Sequence, residues 1–296
     1  MMKNGIILLV ITIALMACET QKTGMLMAGS GWKKIVKTDK QGNILWHHLL
    51  EKGQECNEVT ELENGNILYA HRSGAKVITP GHEVVWQYTA PEGTELQSAS
   101  LTEDGNYLLG QCGCPAQIME FTPEGEKIKE VIFDTGIQNP HSQFRRIRKT
   151  NQNTYIVPVL KTGEIHELNE NGKILKTINV GKAPFSVVIL ENDNWLVSLG
   201  DAHRLIEINP LTNEILWEVK ENDIAGVPLR FVAEAIRLDN GNTIICNWSG
   251  HAKGDQPTAS VVEIKRNAQV VWKLKDNEHL GLISTISPDW GIQFKR

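Results

Sequence analysis

Beyond residue 17 the chain has no hydrophobic run approaching the ~20 residues that a membrane-crossing helix needs. It also has no basic surplus. The 30 Lys and Arg stand against 35 Asp and Glu, a net charge of −5. A sequence-independent grip on nucleic acid draws on clustered basic charge, so that class of partner is excluded. The glycine fingerprints of P-loop and dinucleotide-binding folds are missing, as are a Ser-His-Asp signature and an EF-hand loop. No segment keeps apolar residues at 3.6-residue spacing between its turn clusters, which rules against a helical fold. What remains is 41% hydrophobic residues, 22% charged residues and 25 glycines in 296 residues, a composition that supports a packed core.

The N-terminus carries an address. Lys3 precedes an uncharged stretch, Ile6 to Ala17, with the length and flanks of a secretory signal rather than a spanning helix. It ends Leu15-Met16-Ala17-Cys18, which resembles the bacterial lipobox. The resemblance implies that Cys18 is lipidated and becomes the mature N-terminus. Several acyl chains, at ~0.8 kcal/mol per buried methylene, would hold it stably on a membrane. The expected layout is a lipoprotein signal peptide over 1–17, a lipid-anchored tether over 18–31 and one domain over 32–296.

That domain is a repeat. A turn followed by apolar residues and often Trp recurs at Gly42–Trp46, His82–Trp86, Gly125–Lys129, Gly172–Lys176, Asn213–Trp217 and Ala268–Trp272. The steps are 40, 43, 47, 41 and 55 residues. In phase with it runs a tight Asn/Asp-rich turn before an apolar strand: Asn64-Gly65, Asp104-Gly105, Asn151 to Asn153, Asn192 to Asn194 and Asn240-Gly241. Such dipeptides suit the positive-φ positions of hairpins. A third strand lies between the phrases, so each unit holds four short strands, the content of a β-propeller blade.

The fold expected is therefore all-β: a six-bladed β-propeller of four-stranded antiparallel blades. Five blades are complete, at about 56–88, 97–133, 142–179, 185–219 and 231–274. The sixth is closed by pairing the ends of the chain, which removes exposed sheet edges. Its expected strands are Leu282–Ser287, a second near Gly291–Lys295, and Trp32–Thr38 with Asn43–Leu49, with Trp290 closing the ring.

The unit Asn209-Pro210-Leu211-Thr212-Asn213-Glu214-Ile215-Leu216-Trp217 resembles the PQQ-type propeller repeat, in which the Trp docks one blade onto the next. That resemblance covers nearly all the mature chain. The quinone cofactor itself is not expected, because PQQ dehydrogenases have eight blades, far longer chains and calcium-site acids without counterparts here. The stretch His141-Ser142-Gln143-Phe144-Arg145-Arg146 is similar to the His-bearing inner strand of arylsulfotransferases. That likeness implies a channel histidine accepting a sulfuryl group, although only one such phrase is present.

Propeller connectivity brings the starts of inner strands and the ends of second strands to one face, where blades are joined. The residues expected around the channel there are His71, Arg72, Gln97, His141, Arg145, His203, Arg204, Glu234, Trp248 and His251. Trp248 either stacks on a ligand or packs between blades. For Cys56, Cys112 and Cys114 the alternatives are a disulfide from Cys56 to one of the other two, unpaired packing thiols, or a Cys-x-Cys metal site. Cys246 reads as a small core hydrophobe. No resident metal is expected.

The leading expectation is an exported, lipid-anchored propeller that binds a small molecule, glycan or envelope protein without catalysis. The alternatives are sulfuryl or related group transfer through His141, and a scaffold in an envelope complex.

Overall fold

The computed structural model describes residues 24–251, 259–275 and 280–289. They form six four-stranded antiparallel sheets arranged as a six-bladed propeller, with one short 3-10 turn at Pro140–Ser142. Blades 2 to 6 follow in chain order over 56–89, 95–133, 148–179, 186–219 and 232–274. Each inner hairpin turns as its sequence requires. Gly65, Gly105 and Gly241 take the left-handed position at φ 81°, 78° and 82°, and Asn153 and Asp193 fill it at 58° and 63°. These residue types tolerate positive φ best.

The repeat Trp joins neighbouring blades through a backbone carbonyl of the next blade's outer turn. Trp46 Nε1 donates to Pro80 O at 2.8 Å, Trp217 to Arg266 O at 2.7 Å and Trp272 to Lys40 O at 2.6 Å. The indole thus covers apolar surface between sheets while its N–H finds a partner.

Blade 1 closes the ring with both ends of the chain. Its inner strand is Thr285–Pro288, paired antiparallel to Met25–Ala28, followed by Lys34–Thr38 and Ile44–Leu49. Gly24 and Asp289 extend the seam, with Gly24 N on Asp289 Oδ1 at 2.9 Å and Asp289 N on Gly24 O at 3.1 Å. Two expectations are corrected. Met25–Ala28 lies inside the range assigned to the tether, yet all four residues are buried strand. It occupies the second-strand position expected near Gly291–Lys295. Those residues, Trp290, Cys18 and the signal segment lie outside the described residues.

Of the alternatives for the cysteines, the disulfide is not formed. Cys56, Cys112 and Cys114 are free thiols. Cys56 packs with Leu26, Ile35 and Tyr69 between blades 1 and 2, whereas Cys112 packs with Ile118 and Phe144 between blades 3 and 4. Two different blade interfaces separate them. Cys114 is exposed, its Sγ 3.7 Å from the carbonyl oxygens of Ile137 and Gln138. Cys246 sits in the apolar core as expected.

The axis is crossed by Arg146, a fully buried side chain from the entry to blade 4. Its guanidinium donates to Ala233 O at 3.3 Å, Asn57 O at 3.2 Å and Ser284 O at 2.5 Å, and pairs with Glu234 at 3.1 Å. It thereby ties blade 4 to blades 6, 2 and 1, and it divides the channel into two halves. Removing one partner of a buried ion pair strands the other charge, at a cost of about 3–5 kcal/mol. Arg146→Met should lower stability by that amount in urea unfolding, seen as a shifted midpoint at unchanged slope. Adding Glu234→Gln should recover part of the loss. A stability unchanged by Arg146→Met would remove the arginine from this role.

Candidate functional site

Above Arg146, on the blade-joining face, the channel opens into a recess of about 920 Å³, mouth included. Its walls differ in chemistry. One is aromatic: Phe185 and Phe231 meet edge to face at 5.0 Å, Phe231 and Trp248 at 5.2 Å, and Trp248 and His251 at 4.8 Å. Such edge-on contacts are favourable for rings with a negative face and positive rim. Trp248 is anchored by Nε1 donating to Ser30 O at 3.0 Å, and His251 by Asp201 at 3.1 Å. Trp248 packs against the core, one of its two expected roles, and also lines the recess.

The opposite wall is polar and arises where blade 4 departs from its neighbours. Its inner strand shrinks to Arg148–Lys149, and the preceding residues form the 3-10 turn Pro140–Ser142, opened by Pro140 and capped by the Asn139 side chain. His141 therefore stands on a turn at the rim, not on the inner strand expected from the sequence. Its Nδ1 lies 2.9 Å from Glu95 Oε2. An ionised carboxylate only accepts, so in the neutral ring Nδ1 carries the proton and Nε2 keeps its lone pair. Nε2 faces Arg145 NH2 at 3.4 Å.

Arg145 is itself held by its NH1 on Phe144 O at 2.9 Å and NH2 on His141 O at 2.8 Å. Burial pulls its affinity for a proton down, but a guanidinium remains charged at any working pH. Glu95 is the hub beneath this wall. Gln97 Nε2 donates to it at 2.8 Å and Arg72 pairs with it at 2.6 Å. Burial pushes the Glu95 carboxyl up, yet the bond from His141 and the charge of Arg72 are among the contacts that hold it below the usual carboxylate range.

Of the residues expected at the channel, Gln97, His141, Arg145, Trp248 and His251 line this recess together. The other five are elsewhere. His71 is buried at a strand end, its Nδ1 3.0 Å from Ser73 Oγ. Arg72 reaches Glu95 from outside, over a separate surface groove. His203 turns at φ 55° to bond the Arg230 carbonyl, and Arg204 pairs with Glu218. Glu234 lies in the other half of the channel, below Arg146. His71, Arg72, His203 and Arg204 thus turn away from the recess, whereas Glu234 faces the axis. The recess adds Glu55, Asn57, Phe185, Asp201 and Phe231. Asn57, Phe185 and Phe231 open inner strands and Asp201 follows the end of a second strand, so their positions carried the signal; Glu55 carried none.

A model of the Mal s 1 allergenic protein-like family matches residues 25–269. The chain belongs to the Mal s 1 allergenic protein-like family. A crystal structure of a protein of unknown function from Bacteroides caccae is 41% identical, with a TM-score of 0.85, covering 90% of this chain and 98% of that one. More distant propellers share the fold alone with this Mal s 1-like chain. A catalytically inactive virginiamycin B lyase from Staphylococcus aureus, solved with quinupristin, is 14% identical with a TM-score of 0.57, covering 86% of this chain and 85% of that one. A chain of the nidogen/laminin complex is 12% identical with a TM-score of 0.66, covering 92% and 99%. No curated protein matches the sequence. These relatives support a propeller and do not single out the PQQ-type repeat.

His71 gives the fold of this Mal s 1-like protein a pH dependence. Burial, followed by the nearby charge of Lys76, depresses its pKa to about 4, so the folded state holds a neutral ring that the unfolded chain protonates near 6.5. Its contribution to stability is complete above pH 6.5 and is lost as the pH falls towards 4. Between pH 6.5 and 5 the loss should reach about 2 kcal/mol. Urea unfolding across that range should show it, and His71→Gln should flatten the slope. An unaltered slope in the variant would contradict a buried neutral His71.

Proposed function

We propose that this protein is an exported, lipid-anchored propeller that binds a small ligand in the recess of its blade-joining face, without catalysis and without a quinone cofactor. The observation that carries the reading is the recess itself, with an aromatic wall facing a cationic, hydrogen-bonding one. A ring such as a sugar or an aromatic group suits the Phe231, Trp248 and His251 side. An anionic or acceptor-rich group on that ring suits Arg145 and Gln97. The ligand class is thus an acidic glycan unit or an aromatic acid.

A second reading has its own observation. Glu95 holds His141 with Nε2 turned into the recess, the arrangement that orients a histidine base or nucleophile. On that reading His141 accepts a transferred group such as sulfuryl. Both are tested together, by titrating uronic-acid oligosaccharides and aromatic carboxylates while following Trp fluorescence, and by assaying sulfate transfer from an aryl sulfate to a phenol. Binding without turnover is expected, weakened about tenfold or more by Trp248→Ala and by Arg145→Ala. Turnover that disappears in His141→Ala would replace the binding reading with the enzymatic one. Binding that survives both recess variants would remove the recess from the function.

The anchor rests on the residues from Lys3 to Cys18. Expressed in a bacterium with the full leader, the protein should partition with membranes. Cys18→Ala should give a soluble exported protein or an uncleaved precursor. Full membrane partitioning of Cys18→Ala would refute lipidation at that residue.

A further inference from the structure

The channel continues below Arg146, towards the face of the inner hairpins, as a chamber of about 800 Å³, the open space at its mouth included. We infer that this lower chamber is a second binding site, for a small uncharged molecule with an apolar body and a single hydroxyl or carbonyl group. It goes beyond the recess proposed above and is separated from it by the buried guanidinium.

The walls select the apolar body. Val188, Ile189, Ile236 and Ile286 line the chamber from the lower parts of three inner strands, those of blades 5, 6 and 1. Contact with such side chains removes apolar surface from water, which is favourable without any directional bond.

The charges select against an ion. Each charged group in the lining already has its counter-charge. Glu58 pairs with Arg148 at 2.7 Å and Lys149 with Glu120 at 2.9 Å. Glu61 pairs with Lys37 at 2.8 Å and Glu234 with Arg146 at 3.1 Å. A charged ligand would lose its hydration and compete for partners that are taken. The chamber already disfavours charge on its own residues, since burial pushes the Glu234 carboxyl up.

One polar atom is left over. Ser100 is almost wholly buried and lines the chamber, and its Oγ, itself buried, has no hydrogen-bond partner among the described residues. Its neighbour two residues back on the same strand shows the contrast. Ser98 Oγ donates to Glu58 at 2.8 Å and accepts from Ile147 N at 3.1 Å. Buried hydroxyls without partners are uncommon in native structures. A ligand hydroxyl or carbonyl against Ser100 would complete the set while its ring rests on the isoleucines.

Three probes of one shape and different charge test this: cyclohexanol, cyclohexanecarboxylate and cyclohexylammonium, followed by saturation-transfer NMR on the full chain. Cyclohexanol should bind with a dissociation constant of roughly 1–10 mM, and the two ions more weakly. Ser100→Ala should leave the urea midpoint of the free protein unchanged or higher, because no bond is lost, and should weaken cyclohexanol about fivefold. Thr60→Phe, which places a ring in the chamber from a half-buried position, should abolish the signal, while Trp248→Ala should leave it intact. No transfer to cyclohexanol at about 10 mM, equal or tighter binding of either ion, or an affinity indifferent to Ser100→Ala would overturn the inference. Loss of the signal in Trp248→Ala with retention in Thr60→Phe would also overturn it, by moving the probe to the upper recess. That outcome leaves the recess reading standing, so the two proposals fail separately.

Discussion

Much of this molecule depends on how six inner strands satisfy one another where they meet. In a ring of this size the inner edges point at a common axis, and their free carbonyl and amide groups have no further strand to pair with. Arg146 answers the carbonyls, presenting donors to Asn57, Ala233 and Ser284 from one planar group. Two carboxylates answer the amides. Glu58 accepts from Ala99 N at 2.9 Å and Glu234 from Ile286 N at 2.8 Å. The guanidinium fork suits several acceptors at once, as the point charge of a lysine would not. Arg148 on Glu58 completes a balance of two positive and two negative charges at the axis. Apolar side chains would pack there, but they would leave the strand edges unpaired in a low-dielectric interior.

The same network divides the space along the axis. A propeller axis without a plug is a single passage, whereas here it is two chambers with no lining residue in common. The upper one inherits its polarity from an irregularity. Blade 4 gives up most of its inner strand, and the released residues 140–147 supply the His141 rim, the Arg145 wall and the Arg146 plug in one short stretch. Phe144 and Ile147 meanwhile bury themselves between blades 3 and 4 and hold the stretch in place. The lower chamber has an apolar wall of Val188, Ile189, Ile236 and Ile286, and the charged groups that share its lining are all paired.

The regular parts were legible because their causes are local. Asn-Gly and Asp-Gly turns and the outer-strand Trp repeat on a fixed period, so blade number and blade limits follow from turn chemistry alone. Met25–Ala28 was not legible as strand, since four apolar residues after a polar stretch carry no turn on their N-terminal side. The side on which the recess opens was legible from connectivity, yet the individual side chains were not. Adjacent residues of a strand point to opposite sides. Arg145 and Arg146 differ by one position, one lining the recess and the other crossing the axis, and only the register of Phe144 on Val159 and Arg146 on Ser186 separates them. Cysteine pairing failed for a related reason, because neighbours in a list of strand ends can belong to different blade interfaces.

The irregular blade also bears on whether the recess binds or reacts. Neither the fold nor distant relatives at 12–14% identity can decide that, because one fold carries many sites. The geometry around His141 is more informative. Glu95 on Nδ1 would fix the tautomer that leaves the Nε2 lone pair free, as a nucleophile or base requires. Arg145, however, directs a guanidinium N–H at that same lone pair, and two backbone carbonyls keep it there. An attacking nitrogen must present its lone pair to the substrate, so Arg145 would have to swing away and leave both carbonyls unpaired. For a bound anion no such movement is needed, since Arg145 stays seated and contributes its charge from where it stands. The resting arrangement therefore favours holding a ligand over transferring part of it.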